Sequence, residues 1–293
     1  MKQQLVYTRN EAIDVKVYEP ENPKAAMLLL HGISEHSGRY DYLLNFFKEH
    51  DIYCVVYDHN GHGSRDKGNR GEIGSFETLV RDAKDVYDSL PEDLPKFVIG
   101  HSMGSIVLRL LLSTIQPTGA IIVGTGNRTS PMEMIETAFV NGVAKVLPDA
   151  KSLFINRLAF SGFDRQVDGT ARNRWISKNY ENVVNYNKDP LSGHPVSINT
   201  FKAVNNAIFA VNSEAVIGHY SKDTNFLLIS GKDDPFSHNG RDVEVLDATL
   251  KAHGLHTKSV LYEGYRHEIL NEDIKNDVYR MILEWMDTVI DGE

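Results

Sequence analysis

A chain of 293 residues is long enough to bury a full-sized core, as one large domain or as a domain carrying an insertion. Its 41% hydrophobic and 24% charged residues are ordinary for a soluble globular protein, and its net charge of -9 disfavours nucleic acid and gives no general attraction to anionic membrane surfaces. A single cysteine, Cys54, excludes an intrachain disulfide. Residues 1–10 lack the apolar core of a signal peptide, and no apolar run approaches the ~18 residues of a membrane span. A cytoplasmic protein with at most peripheral membrane contact is expected.

Residues 6–18 predict a hairpin-like pair of strands, with Ile13, Val15 and Val17 alternating. Residues 27–30 read as a buried strand, and Tyr40, Leu43, Leu44 and Phe47 then recur at helical spacing. A central strand predicted over 52–57 holds Cys54, which reads as inert core filler. Phe76, Leu79, Val80, Ala83, Tyr87 and Leu90 mark the next helix. A short strand over 96–99, an apolar helix over 106–115 and a strand over 120–123 follow. This alternation predicts a mostly parallel sheet covered on both faces. It stops near Thr125 and resumes at Phe226. Between them lies helix-like apolar spacing: Phe139, Val143, Val146, Leu153, Phe154, Leu158, Phe160 and Phe163, then Trp175, Ile176 and Tyr180. These read mainly as packing residues of an insertion, with an acyl-pocket role open for a few. Strands over 226–230 and 257–262 and helices marked by Val243, Leu246 and Leu250, and by Ile274, Val278, Met281, Ile282, Trp285 and Met286, complete the chain.

The most informative motif is Gly100-His101-Ser102-Met103-Gly104, set between the short strand and the apolar helix. In strand–turn–helix context, Gly-x-Ser-x-Gly places the serine on a tight turn with its hydroxyl exposed, and residues two before and two after must lack side chains. The helix start beneath it adds a positive dipole end. A serine hydroxyl needs a histidine to take its proton and a carboxylate to orient that histidine. In this setting the acid and then the histidine follow the serine along the chain. His267, after the last strand, is the candidate base, and Asp233 or Asp234, after the strand before it, the candidate acid. The oxyanion of a tetrahedral intermediate needs backbone donors, each worth about 10²–10³ in turnover. Met103, following the serine, and Ile33, in the loop after the 27–30 strand, are the candidate amides.

With these residues in view, the chain resembles the α/β-hydrolases of the monoacylglycerol lipase and lysophospholipase type, within the serine aminopeptidase-like hydrolases. The likeness rests on His31-Gly-Ile-Ser-Glu-His-Ser-Gly-Arg-Tyr40, Asp58-His-Asn-Gly-His-Gly63, Gly100–Gly104, the Asp234 and His267 loops, and Asp189-Pro-Leu-Ser-Gly193. It covers residues 25–125 and 225–293 well, and the segment between mainly by position. The resemblance implies an α/β-hydrolase fold, a mostly parallel central sheet flanked by helices, with a helical lid. The core is expected over 1–126 and 223–293 and the lid over 127–222. It also favours Asp234 over Asp233, because members with a Gly-x-x-Asp turn here use the fourth position. It implies hydrolysis of a carboxylic ester, a small molecule of the single-chain lipid kind. Short-chain esterase and aminopeptidase-like activities remain open within the same family, Glu133, Glu136 and Glu181 being the insertion carboxylates that could fix a substrate amine. A ligand-binding protein on the same fold is the alternative from another class.

Other patterns carry less. Twelve histidines invite a metal reading, but there is no His-Glu-x-x-His helix and no cysteine pair, so residues 58–62 read as a structural turn. His31 and His101 read as loop-orienting. Gly124-Thr-Gly126 lacks a phosphate-loop ending. No metal and no nucleotide cofactor are expected, and Arg157, Arg165, Arg172 and Arg174 read as a solvated face. The oligomeric state is not legible.

Overall fold

The computed structural model describes residues 1–8, 11–127, 131–148, 150–151 and 162–292, with only the backbone of 131–136. Leu153, Phe154, Leu158, Phe160 and Arg157 lie outside the described residues, as do the side chains of Glu133 and Glu136.

Eight strands form one sheet: β1 (Lys2–Tyr7), β2 (Ala12–Tyr18), β3 (Ala25–Leu30), β4 (Ile52–Tyr57), β5 (Lys96–His101), β6 (Gly119–Val123), β7 (Asn225–Gly231) and β8 (His256–Tyr262). Their order is β1-β2-β4-β3-β5-β6-β7-β8. β1 and β2 join antiparallel at one edge, and every pairing from β4 to β8 is parallel. Parallel strands buried on both faces need continuous apolar runs, and β3, Ala-Ala-Met-Leu-Leu-Leu, is buried throughout. Its side chains still divide by the strand period of two. Ala26, Leu28 and Leu30 enter one core; Ala25, Met27 and Leu29 enter the other.

Helices cover both faces. α1 (Asp41–Glu49) buries Leu43, Leu44 and Phe47 in the second core. α2 (Phe76–Asp88), capped by the Ser75 hydroxyl accepting from the Thr78 amide, packs Leu79, Ala83 and Val86 into the first. α3 (Met103–Leu111) lies in the first core as well. Between β6 and β7 the described residues form helices and turns and no strand. They include α4 (Pro131–Ala144), α5 (Tyr180–Lys188), α6 (Ile198–Ala210) and the short α7 (Glu214–Ile217). α8 (Arg241–Ala252) and α9 (Lys275–Asp291) close the fold. This is the α/β-hydrolase architecture expected from the sequence.

Within the insertion the reading of apolar positions as packing residues fails at three places. Phe139 is 72%, Val146 78% and Tyr180 72% exposed. Phe139 lies on α4, which rests on α6, and Val146 follows the end of α4 at Ala144. Tyr180 is the first residue of α5, whose buried side is set by Val183 and Tyr186. Trp175, Ile176, Val183 and Tyr186 instead make a small separate core with Phe163, Val167 and Phe236.

Candidate active site

The carboxyl ends of the parallel strands bring the candidate residues to one side of the sheet, where such folds place their chemistry. Ser102 stands between β5 and α3 with φ 53° and ψ -119°, a strained conformation for a residue with a side chain. Its amide donates to the Val123 carbonyl (2.9 Å), fixing the turn to the end of β6. Both glycines of the motif are dictated by contact. A Cβ on Gly100 would sit 2.4 Å from the Gly104 carbonyl oxygen, and one on Gly104 would sit 2.1 Å from that of Leu30. The elbow is therefore pressed directly against the loop after β3, and a Cβ on Gly32 would meet the Ser102 Cβ at 3.1 Å.

After β8, His267 is buried, with Nδ1 3.0 Å from Asp234 Oδ2. Asp234 has no exposed surface. It also accepts from the Phe236 amide (2.9 Å), capping the turn that follows β7. Burial acts to raise its pKa, but the neighbouring His267 and these hydrogen bonds outweigh burial and lower it, so it stays ionised. Asp233, one residue earlier, is exposed, and its amide donates to the Tyr265 carbonyl. The structure thus joins His267 to Asp234 and leaves Asp233 on the surface. The imidazole is walled by Trp175 (ring centroids 4.8 Å), His101 (4.9 Å) and Phe236 (5.2 Å), and Gly124 makes room beside it. No hydrogen bond joins Ser102 Oγ to His267 among the described residues, a contact that in unliganded sites often forms only with substrate bound.

The two candidate oxyanion amides are free among the described residues. Neither Ile33 nor Met103 N–H has a hydrogen-bond partner among the described residues, and Met103 is the first residue of α3, where helix geometry leaves N–H groups unpaired.

A buried charge cluster that sequence reading missed ties these loops together. Arg39 donates from Nη1 to Glu35 Oε2 (2.6 Å) and, through both nitrogens, to the two oxygens of Glu268 (2.6 Å each). Glu35 Oε1 accepts from the Gly32 amide (2.5 Å) and the Tyr40 hydroxyl (2.8 Å) and lies 3.1 Å from His101 Nδ1. The other ring nitrogen of His101 faces the His267 carbonyl at 3.4 Å. Both nitrogens therefore face acceptors. Burial pulls the His101 pKa down, but the bond and charge of Glu35 outweigh it and raise it. Glu35, for which burial works upward, is held well below the ordinary carboxylate range by His101 and Arg39. Two carboxyl groups thus face a guanidinium and an imidazole. From the insertion, Asn182 adds its side-chain amide to Glu268 Oε2 (2.7 Å), and Tyr186 lies under the guanidinium. The two traces in sequence were Glu35 four residues before Arg39, and Glu268 beside His267.

The turn over 58–62 is structural: Asp58 accepts from the Ser37 and Ser64 amides (2.8 Å each). Arg172 is exposed, as the solvated-face reading expects, and donates to the Gly193 carbonyl; Arg174 is half-buried and donates to the carbonyls of Val167 and Ala171, tying the insertion together. Glu181 lies exposed in the first turn of α5.

Comparison with known proteins gives the same direction. The family described as serine aminopeptidase, S33, matches residues 21–274. The chain is 29% identical over 277 residues to the human monoglyceride lipase, covering 90% of this chain and 82% of that one. It is 28% identical to an uncharacterised abhydrolase domain-containing protein of Dictyostelium discoideum, spanning 96% of this chain but only 28% of that longer protein. Among solved structures, a thermostable carboxyl esterase from Bacillus coagulans in complex with glycerol superposes with TM-score 0.88 at 25% identity, covering 99% of this chain and 98% of that one.

Proposed function

The chain belongs to the serine aminopeptidase S33 family and is an α/β-hydrolase of the monoacylglycerol lipase type; from that premise we propose that it cleaves carboxylic esters of single-chain lipids, monoacylglycerols or lysophospholipids, through an acyl-enzyme on Ser102. Ser102 Oγ attacks the ester carbonyl carbon while its proton passes to His267 Nε2. Asp234 holds the imidazole by Nδ1 and balances the imidazolium that forms. The Ile33 and Met103 amides receive the oxyanion. Collapse of the tetrahedral intermediate breaks the ester C–O bond, and His267 returns its proton to the leaving alcohol. A water then attacks the acyl carbon, giving its proton to His267, and the carboxylic acid leaves as Ser102 regains a hydrogen.

The observation that carries this reading is one serine, strained on a glycine-flanked turn, whose neighbour His101 packs its ring on His267 of a buried histidine–aspartate pair. The name of the human relative, monoglyceride lipase, supports the lipid class. Residues 127–222 would serve as the cap over the site, consistent with Trp175 packing on His267. No helix among the described residues is long and apolar enough to cross a membrane, and we read access to lipid as peripheral. A single buried cysteine fits a reducing, cytoplasmic setting.

The test is product release from matched monoacylglycerols, lysophospholipids and short-chain aryl esters, with Ser102→Ala alongside. Serine-dependent release favouring long acyl chains is expected. Release from short esters alone would keep the triad and overturn the lipid class.

A further inference from the structure

The loop after β3 contains three successive amides, and the structure treats them differently. Gly32 N–H donates to Glu35 Oε1 (2.5 Å) and Ser34 N–H donates to His62 Nε2 (3.1 Å). Only the middle one, Ile33 N–H, has no partner among the described residues. The Ser34 carbonyl is also held, by the Tyr186 hydroxyl (3.0 Å) and the Gly193 amide (2.8 Å). The peptide groups on both sides of the Ile33 amide are pinned, and that amide is left without a partner among the described residues.

A trans peptide is planar, so the Ile33 N–H points opposite to the Gly32 carbonyl of the same peptide, and no peptide bond here is cis. That carbonyl lies 2.7 Å from His31 Nδ1. The other ring nitrogen, Nε2, receives the His59 amide at 2.9 Å. A backbone N–H can only donate, so Nε2 must be unprotonated, and the ring hydrogen is left on Nδ1, aimed at the Gly32 carbonyl. The ring is fully buried, packed against His59 (4.5 Å) and His62 (5.4 Å). Burial lowers its pKa, which keeps it neutral.

We propose that His31 is a positioning residue for the oxyanion site: its Nδ1–H holds the Gly32 carbonyl and thereby aims the Ile33 N–H, while the His59 amide selects the tautomer that can do so. The proposal rests on the assignment of Ser102 as nucleophile and of Ile33 as oxyanion donor.

Two substitutions separate the two ring nitrogens. The Asn side-chain amide reaches the position of Nδ1, and that of Gln reaches Nε2. His31→Asn keeps a donor for the Gly32 carbonyl; His31→Gln keeps only an acceptor for the His59 amide. On a monoacylglycerol or aryl ester that the wild type turns over, His31→Gln is expected to lose about 10²-fold in kcat, the scale of one oxyanion donor, with KM changed less than about threefold. His31→Asn should retain kcat within about tenfold. A purely structural role would make both fall together, and that result, or wild-type kcat in His31→Gln, overturns the proposal. Should neither variant fold, ¹⁵N NMR of the wild-type imidazole decides: a proton on Nδ1 with bare Nε2 at neutral pH agrees, and a proton on Nε2 overturns it. Ser102→Ala is assayed in parallel. Full turnover there would overturn the nucleophile itself, whereas an inactive Ser102→Ala beside an unimpaired His31→Gln overturns only the role of His31.

Discussion

Replacing Arg39 by leucine tests the buried charge cluster most severely. Its side chain is 9% exposed, and those of Glu35 and Glu268 are 3% each. The change deletes three charge-assisted hydrogen bonds of 2.6 Å, two of them forming a fork on Glu268, and leaves two buried carboxylates with only His101 to balance them. Removing one partner of a buried pair typically costs ~3–5 kcal/mol, because the remaining charge stays desolvated. At ~2–4 °C per kcal/mol for a large domain, the melting temperature should fall by ~6–20 °C at pH 8. The pH dependence gives the sign. Arg39 is one of the charges that hold the Glu35 carboxyl well below its ordinary value of 4.5. A carboxylate so lowered contributes stability that is present above the unfolded value and lost as pH falls through the folded one. Without Arg39 part of that contribution is gone, so the deficit should hold from pH 8 to pH 5 and shrink only on further acidification. Thermal unfolding followed by circular dichroism across that range is the assay. A melting temperature within ~2 °C of wild type at pH 8, or a deficit that grows toward pH 5, would refute the reasoning.

Asp234→Asn should cut kcat about 10⁴-fold, since the imidazole then loses its orienting carboxylate, whereas exposed Asp233→Asn should stay within about twofold; equal losses in steady-state turnover would contradict the assignment. Gly104→Ala places a Cβ 2.1 Å from the Leu30 carbonyl oxygen and 2.7 Å from that of His31. It should destabilise by ~1–3 kcal/mol and lower ester turnover by displacing the loop that carries Ile33; wild-type melting and turnover would exclude that contact. Burial lowers His62 to a pKa of about 3 and His194 to about 4, and lowers His31 and His59 as well. A histidine depressed in the folded state keeps its stability above the unfolded value near 6.5 and loses it below. His62 and His194 should each cost roughly 2 kcal/mol by pH 5, offset in part by His101, whose raised pKa acts in the opposite direction. The urea midpoint should fall from pH 7.5 to pH 5, and a flat midpoint would exclude it.

The sheet was legible because buried parallel strands demand apolar runs and their helices demand amphipathic spacing, as in β3 and α2. The elbow was legible because a tight turn imposes two glycines at fixed offsets from Ser102. What periodicity does not encode is which side chains meet across long separations. Asp233 and Asp234 are neighbours of one type, and only the direction each takes after β7 buries one against His267 and leaves the other in solvent. Arg39 and Glu268 are 229 positions apart. Nor does a histidine's letter tell its tautomer; for His31 that follows from the His59 amide at 2.9 Å. In the insertion, apolar spacing suggested burial at Phe139, yet the side of its helix that carries Phe139 is exposed, and Val146, just beyond the end of that helix, is exposed as well.

The central claim is that Ser102 becomes the acyl-bearing residue. Reaction with an alkyl phosphonate ester, followed by intact-mass and peptide mapping, tests it without choosing a substrate. The account predicts one adduct per chain, on the peptide carrying Ser102, absent in Ser102→Ala and accompanied by loss of ester hydrolysis. An adduct on another residue, or ester hydrolysis that survives full modification of Ser102, would contradict it.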